Sequence, residues 1–173
     1  MRLVRYRCTA QNSTSGQDYR GEIKGGIIDL LIVRQSRAKE MKLAYEGALM
    51  PDEAYEILQT APGAKLVDVR SRAELDFVGR IPGAIEIELL TYPGMKPNMN
   101  FMAAMEQQVD KESLVMFICR NGGRSHQAAQ VATQAGWPDC YNVIAGFEGD
   151  INAKKQRSVL NGWKALNLPW EQS

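Results

Sequence analysis

Cys119-Arg120-Asn121-Gly122-Gly123-Arg124-Ser125 places a thiol, two guanidinium groups and two glycines within seven residues. A run of strand formers, Ser113-Leu114-Val115-Met116-Phe117-Ile118, precedes it, and Ala128, Val131, Ala132 and Ala135 follow at i, i+3, i+4, i+7 spacing. The pattern predicts a buried strand ending at the cysteine, a glycine turn, and a helix from Ser125 to Ala135. The first N–H groups of a helix lack intrahelical partners, and the helix dipole adds partial positive charge there. Gly122 and Gly123 permit backbone angles at which successive N–H groups converge on one point. Arg120 and Arg124 add permanent charge with a fork suited to oxyanions. Surroundings of this kind favour the nucleophilic thiolate of a cysteine. They equally suit a Cys–S–S⁻ anion or the oxygens of thiosulfate or phosphate. The competing reading is a buried structural thiol, which requires neither glycines nor flanking arginines.

The loop resembles the active-site loop of the rhodanese-like sulfurtransferases, which runs from a strand-end cysteine into a helix. Three further blocks are similar to that family in the same order. Leu66-Val67-Asp68-Val69-Arg70, followed by Glu74, resembles its first core strand and aspartate–arginine end. Gly79-Arg80-Ile81-Pro82-Gly83-Ala84 is similar to a segment that usually reads Gly-His-Ile-Pro-Gly-Ala. Tyr141-Asn142-Val143, then Gly146-Phe147-Glu148-Gly149, Gly162-Trp163 and Leu168-Pro169-Trp170, resembles the closing strand, glycine turn and tail of single-domain members. The likeness spans roughly Met50 to Trp170. Arg80 stands where the family usually has histidine, and Ala145 where a second glycine often precedes Gly146.

The resemblance implies an α/β fold with a mainly parallel central sheet flanked by helices on both faces. It also implies a thiosulfate sulfurtransferase in which Cys119 is the catalytic nucleophile and carries a persulfide. Arg120, Asn121, Gly122, Gly123, Arg124 and Ser125 are the substrate-binding residues, through backbone N–H groups and the two guanidinium groups. Asp68 and Arg70 are candidates for supporting that loop, against the reading that they tie adjacent loops structurally; Arg70 and Glu74, at i, i+4, are expected to pair locally. The implied partners are a small anionic sulfur donor and a thiol or cyanide acceptor, with a protein acceptor as a further candidate. No cofactor is called for. Two alternatives stand beside this reading. One is a carrier module that ferries persulfide between proteins without small-molecule turnover. The other is a cysteine phosphatase or arsenate reductase, whose loops carry one more residue than the four between Cys119 and Arg124.

Composition narrows the field. The 173 residues are 45% hydrophobic and 24% charged, ordinary for one globular domain. A net charge of +1 gives no reason to expect nucleic acid or an acidic membrane as partner. No apolar run approaches the roughly 20 residues needed to span a bilayer, and no apolar stretch followed by a small-residue cleavage site suggests a secretory signal. Three cysteines without regular spacing argue against a disulfide framework and for a reducing, cytoplasmic setting. With His126 as the one histidine, metal-ligand spacing is absent and no metal site is expected. His126 reads as a packing residue more readily than as a proton shuttle for Cys119. Cys140 reads as a small core residue; Cys8 lies in the least interpretable region.

Residues 1–40 hold eight Lys/Arg and four Asp/Glu, a net of +4, whereas residues 41–173 hold thirteen and sixteen, a net of −3. Within the first 40, only Gly26 to Ser36 has apolar content enough for a short element. They are read as a flexible, dispensable basic tail or an over-extended start, with a partner-docking arm as the alternative, and residues 41–173 as a single domain. Beyond the tail, Pro51 suits the first position of a helix running to Thr60. Lys65 to Val69 reads as a strand, and Ser71-Arg72-Ala73-Glu74 as a capping box. Ala84 to Leu89 reads as a strand, Tyr92 to Pro97 as a loop, and Asn100 to Val109 as a helix with Met102 and Met105 as core filler. This alternation predicts a parallel sheet covered by helices. Ligands in such sheets bind beyond the carboxyl ends of the strands, where Cys119 falls.

Overall fold

The computed structural model describes residues 35–172. Seven strands and four helices follow residue 46 in the order β1 (Gly47–Leu49), α1 (Pro51–Thr60), β2 (Lys65–Asp68), α2 (Arg72–Val78), β3 (Ile85–Glu86), β4 (Leu90–Thr91), β5 (Lys96–Pro97), α3 (Phe101–Gln108), β6 (Val115–Ile118), α4 (Gly123–Gln134) and β7 (Cys140–Val143). Five strands form one parallel sheet in the order β1-β7-β6-β2-β3. The central pair is in register from Lys65 opposite Val115 to Asp68 opposite Ile118. Both chains therefore leave the sheet at the same edge, where Cys119 and Val69 begin their loops.

Alternation along β6 divides the core. Val115 and Phe117 face one side with Phe101, Met105, Ala128, Ala129, Ala132 and Trp137. Met116 and Ile118 face the other with Ala54, Ile57, Phe147 and Trp163. Helices α3 and α4 cover the first face, and α1 with the C-terminal tail covers the second. Strands buried on both faces read as unbroken apolar runs, and β6 is wholly buried. The helical boundaries follow local chemistry. Pro51 opens α1, and the Ser71–Glu74 capping box opens α2 with both reciprocal hydrogen bonds present. None of the helices among the described residues is long and apolar enough to cross a membrane.

Several elements depart from the sequence pattern. β1 is a three-residue, fully buried edge strand on β7; Gly47 and Ala48 are weak strand formers, so nothing local announces it. The stretch read as a loop at Tyr92 to Pro97 holds the turn and the second strand, β5, of an antiparallel hairpin with β4. The strand expected from Ala84 to Leu89 is reduced to Ile85–Glu86, although the Ile87 and Leu89 N–H groups still bond to the Asp68 and Val69 carbonyls at 3.0 and 3.2 Å. On α4 the buried face runs through Ser125, Ala128, Ala129 and Ala132, while Val131 points outward. Small side chains let this helix lie close on the sheet.

Residues 1–34, including Cys8, lie outside the described residues, but the boundary drawn at residue 40 falls inside packed structure. Residues 35–40 are helical, and Arg37 is buried against α1. Its Nη2 donates to Glu53 Oε1 at 2.8 Å and its Nη1 to the second oxygen, which also accepts the Met50 N–H at 2.7 Å. At the far end, Trp163 is buried and donates from Nε1 to the Pro169 carbonyl at 2.8 Å. Glu171 and Arg80 exchange two backbone hydrogen bonds of 2.7 and 2.9 Å. A Cβ at Gly79 would lie 2.7 Å from the Trp170 ring, so glycine there lets the tail seat. Removing the Arg37 partner should strand a buried carboxylate: Arg37→Ala is expected to lower the free energy of urea unfolding by about 2 kcal/mol, and an unchanged midpoint would show that the segment is not part of the folded unit.

Candidate active site

Cys119 is the first residue past β6, and the loop it opens is shaped by the segment after β7. The Cys119 carbonyl accepts the Phe147 N–H at 2.8 Å; the Arg120 carbonyl accepts the N–H groups of Glu148 and Gly149 at 2.9 and 3.2 Å. These bonds require close backbone approach at Gly146, where a Cβ would lie 2.7 Å from the Asn121 nitrogen and nearer still to the Cys119 oxygen. Ala145, in place of the second glycine, itself adopts a left-handed φ of 64°. With these carbonyls drawn to that side, the Gly122 N–H is left to face the sulfur. Gly122, left-handed at φ 95°, is the N-cap of α4, and its N–H donates to Cys119 Sγ at 3.2 Å. The Ser125 hydroxyl donates to the same sulfur at 3.3 Å. The sulfur thus lies beside the N-terminal end of α4, where a helix dipole is positive.

Arg124 is held by α2. Its Nη1 and Nη2 bind the two oxygens of Glu74 at 2.6 Å each, a bidentate pair between α4 and α2. Glu74 Oε2 also accepts the Ser71 N–H and hydroxyl, both at 2.9 Å. Burial opposes ionisation of Glu74, yet the Arg124 and Ser71 donors outweigh it and hold the carboxyl at about 2. The local pair expected between Arg70 and Glu74 does not form. Arg70 turns inward instead: Nε and Nη2 bind Asp68 at 2.9 and 2.6 Å, and Nη2 also donates to the Gly79 carbonyl at 2.9 Å. Its guanidinium lies 3.9 Å from the centre of the Phe147 ring. Asp68 and Arg70, both fully buried, thus brace the residue whose N–H holds the Cys119 carbonyl.

A cavity of about 390 Å³ lies against this loop. Arg120, Arg124 and Glu74 are its charged walls; Ala73, Val78, Tyr92 and Met95 are its apolar ones. Arg120 is exposed, as are Asn121 and Gly123, whereas Gly122 and Ser125 are buried. Cys119, at the end of the buried strand as the sequence predicts, is fully buried and is not itself in the cavity wall. Donor and sulfur meet only when side chains around the loop shift. His126 is engaged elsewhere: its Nδ1 lies 2.7 Å from Tyr45 Oη. Burial pushes the Tyr45 phenol far above its ordinary value, so Tyr45 enters this contact as the neutral hydroxyl. Cys140 is buried, donates to the Trp137 carbonyl at 3.4 Å, and burial pushes its thiol up to about 11. It is a core residue.

Two elements of this site have no local signature in the sequence. The Glu74–Arg124 pair joins residues 50 positions apart, and Glu74 already had a role in the capping box. Tyr92 and Met95 reach the cavity through a hairpin turn that reads as a loop.

A family model described as a rhodanese-like domain matches residues 50–153. An uncharacterized Rickettsia rickettsii protein, the RP600 homolog, is 35% identical over 123 residues, covering 69% of this chain and 92% of its own length. The crystal structure of Rv0390 from M. tuberculosis superposes with a TM-score of 0.70 at 40% identity, covering 75% of this chain and 100% of that one. The solution structure of the polysulfide-sulfur transferase homodimer from Wolinella succinogenes shares the fold, with a TM-score of 0.52 at 21% identity over 80% of this chain and 85% of that one.

The depressed Glu74 carboxyl has a consequence for stability. Its folded value of about 2 lies below the ordinary 4.5, so its contribution is fully present above pH 4.5 and is lost as the pH falls towards 2. Urea unfolding at pH 7, 5 and 3 should therefore show a steeper acid loss for the native protein than for Glu74→Gln. Parallel acid curves for the two would contradict the clamp.

Proposed function

The chain belongs to the rhodanese-like domain family, and from that premise we propose that it is a sulfurtransferase working through a persulfide on Cys119. The Cys119 thiolate attacks the outer sulfur of an anionic donor such as thiosulfate. The donor's S–S bond breaks, sulfite leaves with the electron pair, and Cys–S–S⁻ remains. A thiolate or cyanide then attacks the outer sulfur, taking it as a new persulfide or as thiocyanate and restoring the thiolate. Transfer through a covalent intermediate predicts ping-pong kinetics.

The observation that carries this reading is the convergence of the Gly122 N–H and the Ser125 hydroxyl on Sγ. Donors already in place beside the sulfur stabilise negative charge without reorganising during the reaction. Arg120, exposed at the cavity, holds the oxyanion end of the donor. Arg124 adds charge from its place on Glu74. The reaction needs no metal and no organic cofactor. Complete burial of Cys119 favours one second reading, a carrier whose loop opens only against a partner protein; turnover with free cyanide or a small thiol separates the two.

Incubation with thiosulfate is expected to add one sulfur, about 32 Da, to Cys119 by intact mass. Cys119→Ser should show neither the added mass nor thiocyanate formation above background, and retained turnover in that variant would overturn the proposal. Arg120→Ala should lower kcat/KM for thiosulfate by at least ~10-fold, the loss of one charge-assisted contact; unchanged kinetics would remove Arg120 from donor binding.

A further inference from the structure

The cavity beside the cysteine loop is unequally charged. Of its three charged side chains, Arg124 and Glu74 cancel, because both terminal nitrogens of the arginine are held by both oxygens of the carboxylate. Arg120 has no ion-pair partner among the described residues. The cavity therefore offers one net positive charge and places a carboxylate in the same wall. A donor with two negative charges would meet one attraction that is matched and a second charge that is not, next to Glu74.

Most of the remaining lining is apolar. Tyr92 and Met95 lie in the turn between β4 and β5 and are 66% and 41% exposed; Ala73 and Val78, on α2, also line the cavity. An aromatic ring and a thioether standing in water beside a binding cavity gain free energy from any apolar group that covers them. The planar guanidinium fork of Arg120, in the same lining, suits two oxygens on one sulfur centre. The cavity thus combines one unpaired cation with fork geometry and exposed apolar side chains, beside the loop that Cys119 opens.

From this arrangement we propose that the site selects a monoanionic organic thiosulfonate, R–SO₂–S⁻, over doubly charged thiosulfate, with Glu74 setting the charge and Tyr92 and Met95 receiving the organic group. The proposal rests on the sulfur-transfer reading above and names its donor class. The step balances: the Cys119 thiolate bonds to the outer sulfur, the donor's S–S bond breaks, and the sulfinate R–SO₂⁻ leaves with the electron pair. One negative charge stays on the cysteine persulfide and one departs with the sulfinate. Glu74 acts here through Arg124 and the cavity field rather than on the reacting atoms, so it is a positioning residue for charge.

The test measures the rate of persulfide loading on Cys119 by intact mass with three donors: thiosulfate, methanethiosulfonate and benzenethiosulfonate. Each rate is divided by that donor's rate with free glutathione, which removes intrinsic reactivity. The native protein is expected to rank benzenethiosulfonate first and thiosulfate last. Glu74→Gln should raise the thiosulfate-to-methanethiosulfonate ratio by about tenfold. A double replacement, Tyr92→Ala with Met95→Ala, should lower the benzenethiosulfonate-to-methanethiosulfonate ratio by about tenfold. Should Glu74→Gln fail to fold, the native ranking and the double variant at exposed positions carry the test. Loading with all donors but with thiosulfate first, or with ratios unmoved in the folded variants, overturns the selectivity and leaves sulfur transfer standing. Loading with none of them overturns the sulfur-transfer reading and this one with it.

Discussion

Two backbone carbonyls govern this molecule. Those of Cys119 and Arg120 are bonded to the N–H groups of Phe147, Glu148 and Gly149, so the loop after β6 cannot turn its carbonyls towards the sulfur. A carbonyl aimed at Sγ would repel an anionic sulfur, whereas the Gly122 N–H found there attracts one. The arrangement depends on the absence of a side chain at Gly146, where backbone meets backbone. It costs little because buried N–H and C=O groups must find partners in any case. The same bonds that satisfy the loop also aim it.

Supports are stacked behind that contact. Phe147 is buried between the Arg70 guanidinium on one side and the Trp170 ring, whose centre is 6.4 Å away, on another. Arg70 is in turn held by Asp68 at the end of β2, the strand paired to β6. The tail that carries Trp170 is tied to Arg80 through its backbone. The Arg80 side chain, in the place of a family histidine, pairs with Asp76 and, at 2.9 Å, with Glu86. On the solvent side, Glu74 joins α2 to α4 through Arg124. A half-buried ion pair of this kind adds little net stability when compared with an apolar replacement, but leaving one member alone is costly. Its value here lies in geometry and charge count at the cavity.

What could be read in the residues was whatever is local. The strand, cysteine, glycine pair and helix follow one another within about 20 positions, so period and turn chemistry reveal them. The Ser71–Glu74 capping box and Pro51 at the start of α1 are equally local, and both are present. Contacts across the fold leave no such trace. Gly47–Leu49 becomes a strand because β7 has a free edge, not because glycine and alanine prefer to extend. Glu74 could satisfy a helix cap, an arginine four residues before it, or an arginine 50 residues on; only the folded chain shows that it takes the first and the third. Residues 35–40 look like the end of a polar tail until Glu53, a helical carboxylate on α1, is seen to need Arg37. Val131 matched the helical period but points outward, since α4 is seated on its alanines. Periodicity identifies a helix more securely than it identifies which of two adjacent residues faces the core.

The most direct test of the account is a high-resolution crystal structure of the protein after loading with a sulfane donor. The account predicts density for a second sulfur on Cys119, lying within hydrogen-bond distance of the loop N–H groups, with the Cys119 and Arg120 carbonyls still bound to the segment after Ala145. A second sulfur directed away from those N–H groups, or loop carbonyls swung towards it, would contradict the claim that this backbone cup is what holds the anionic sulfur.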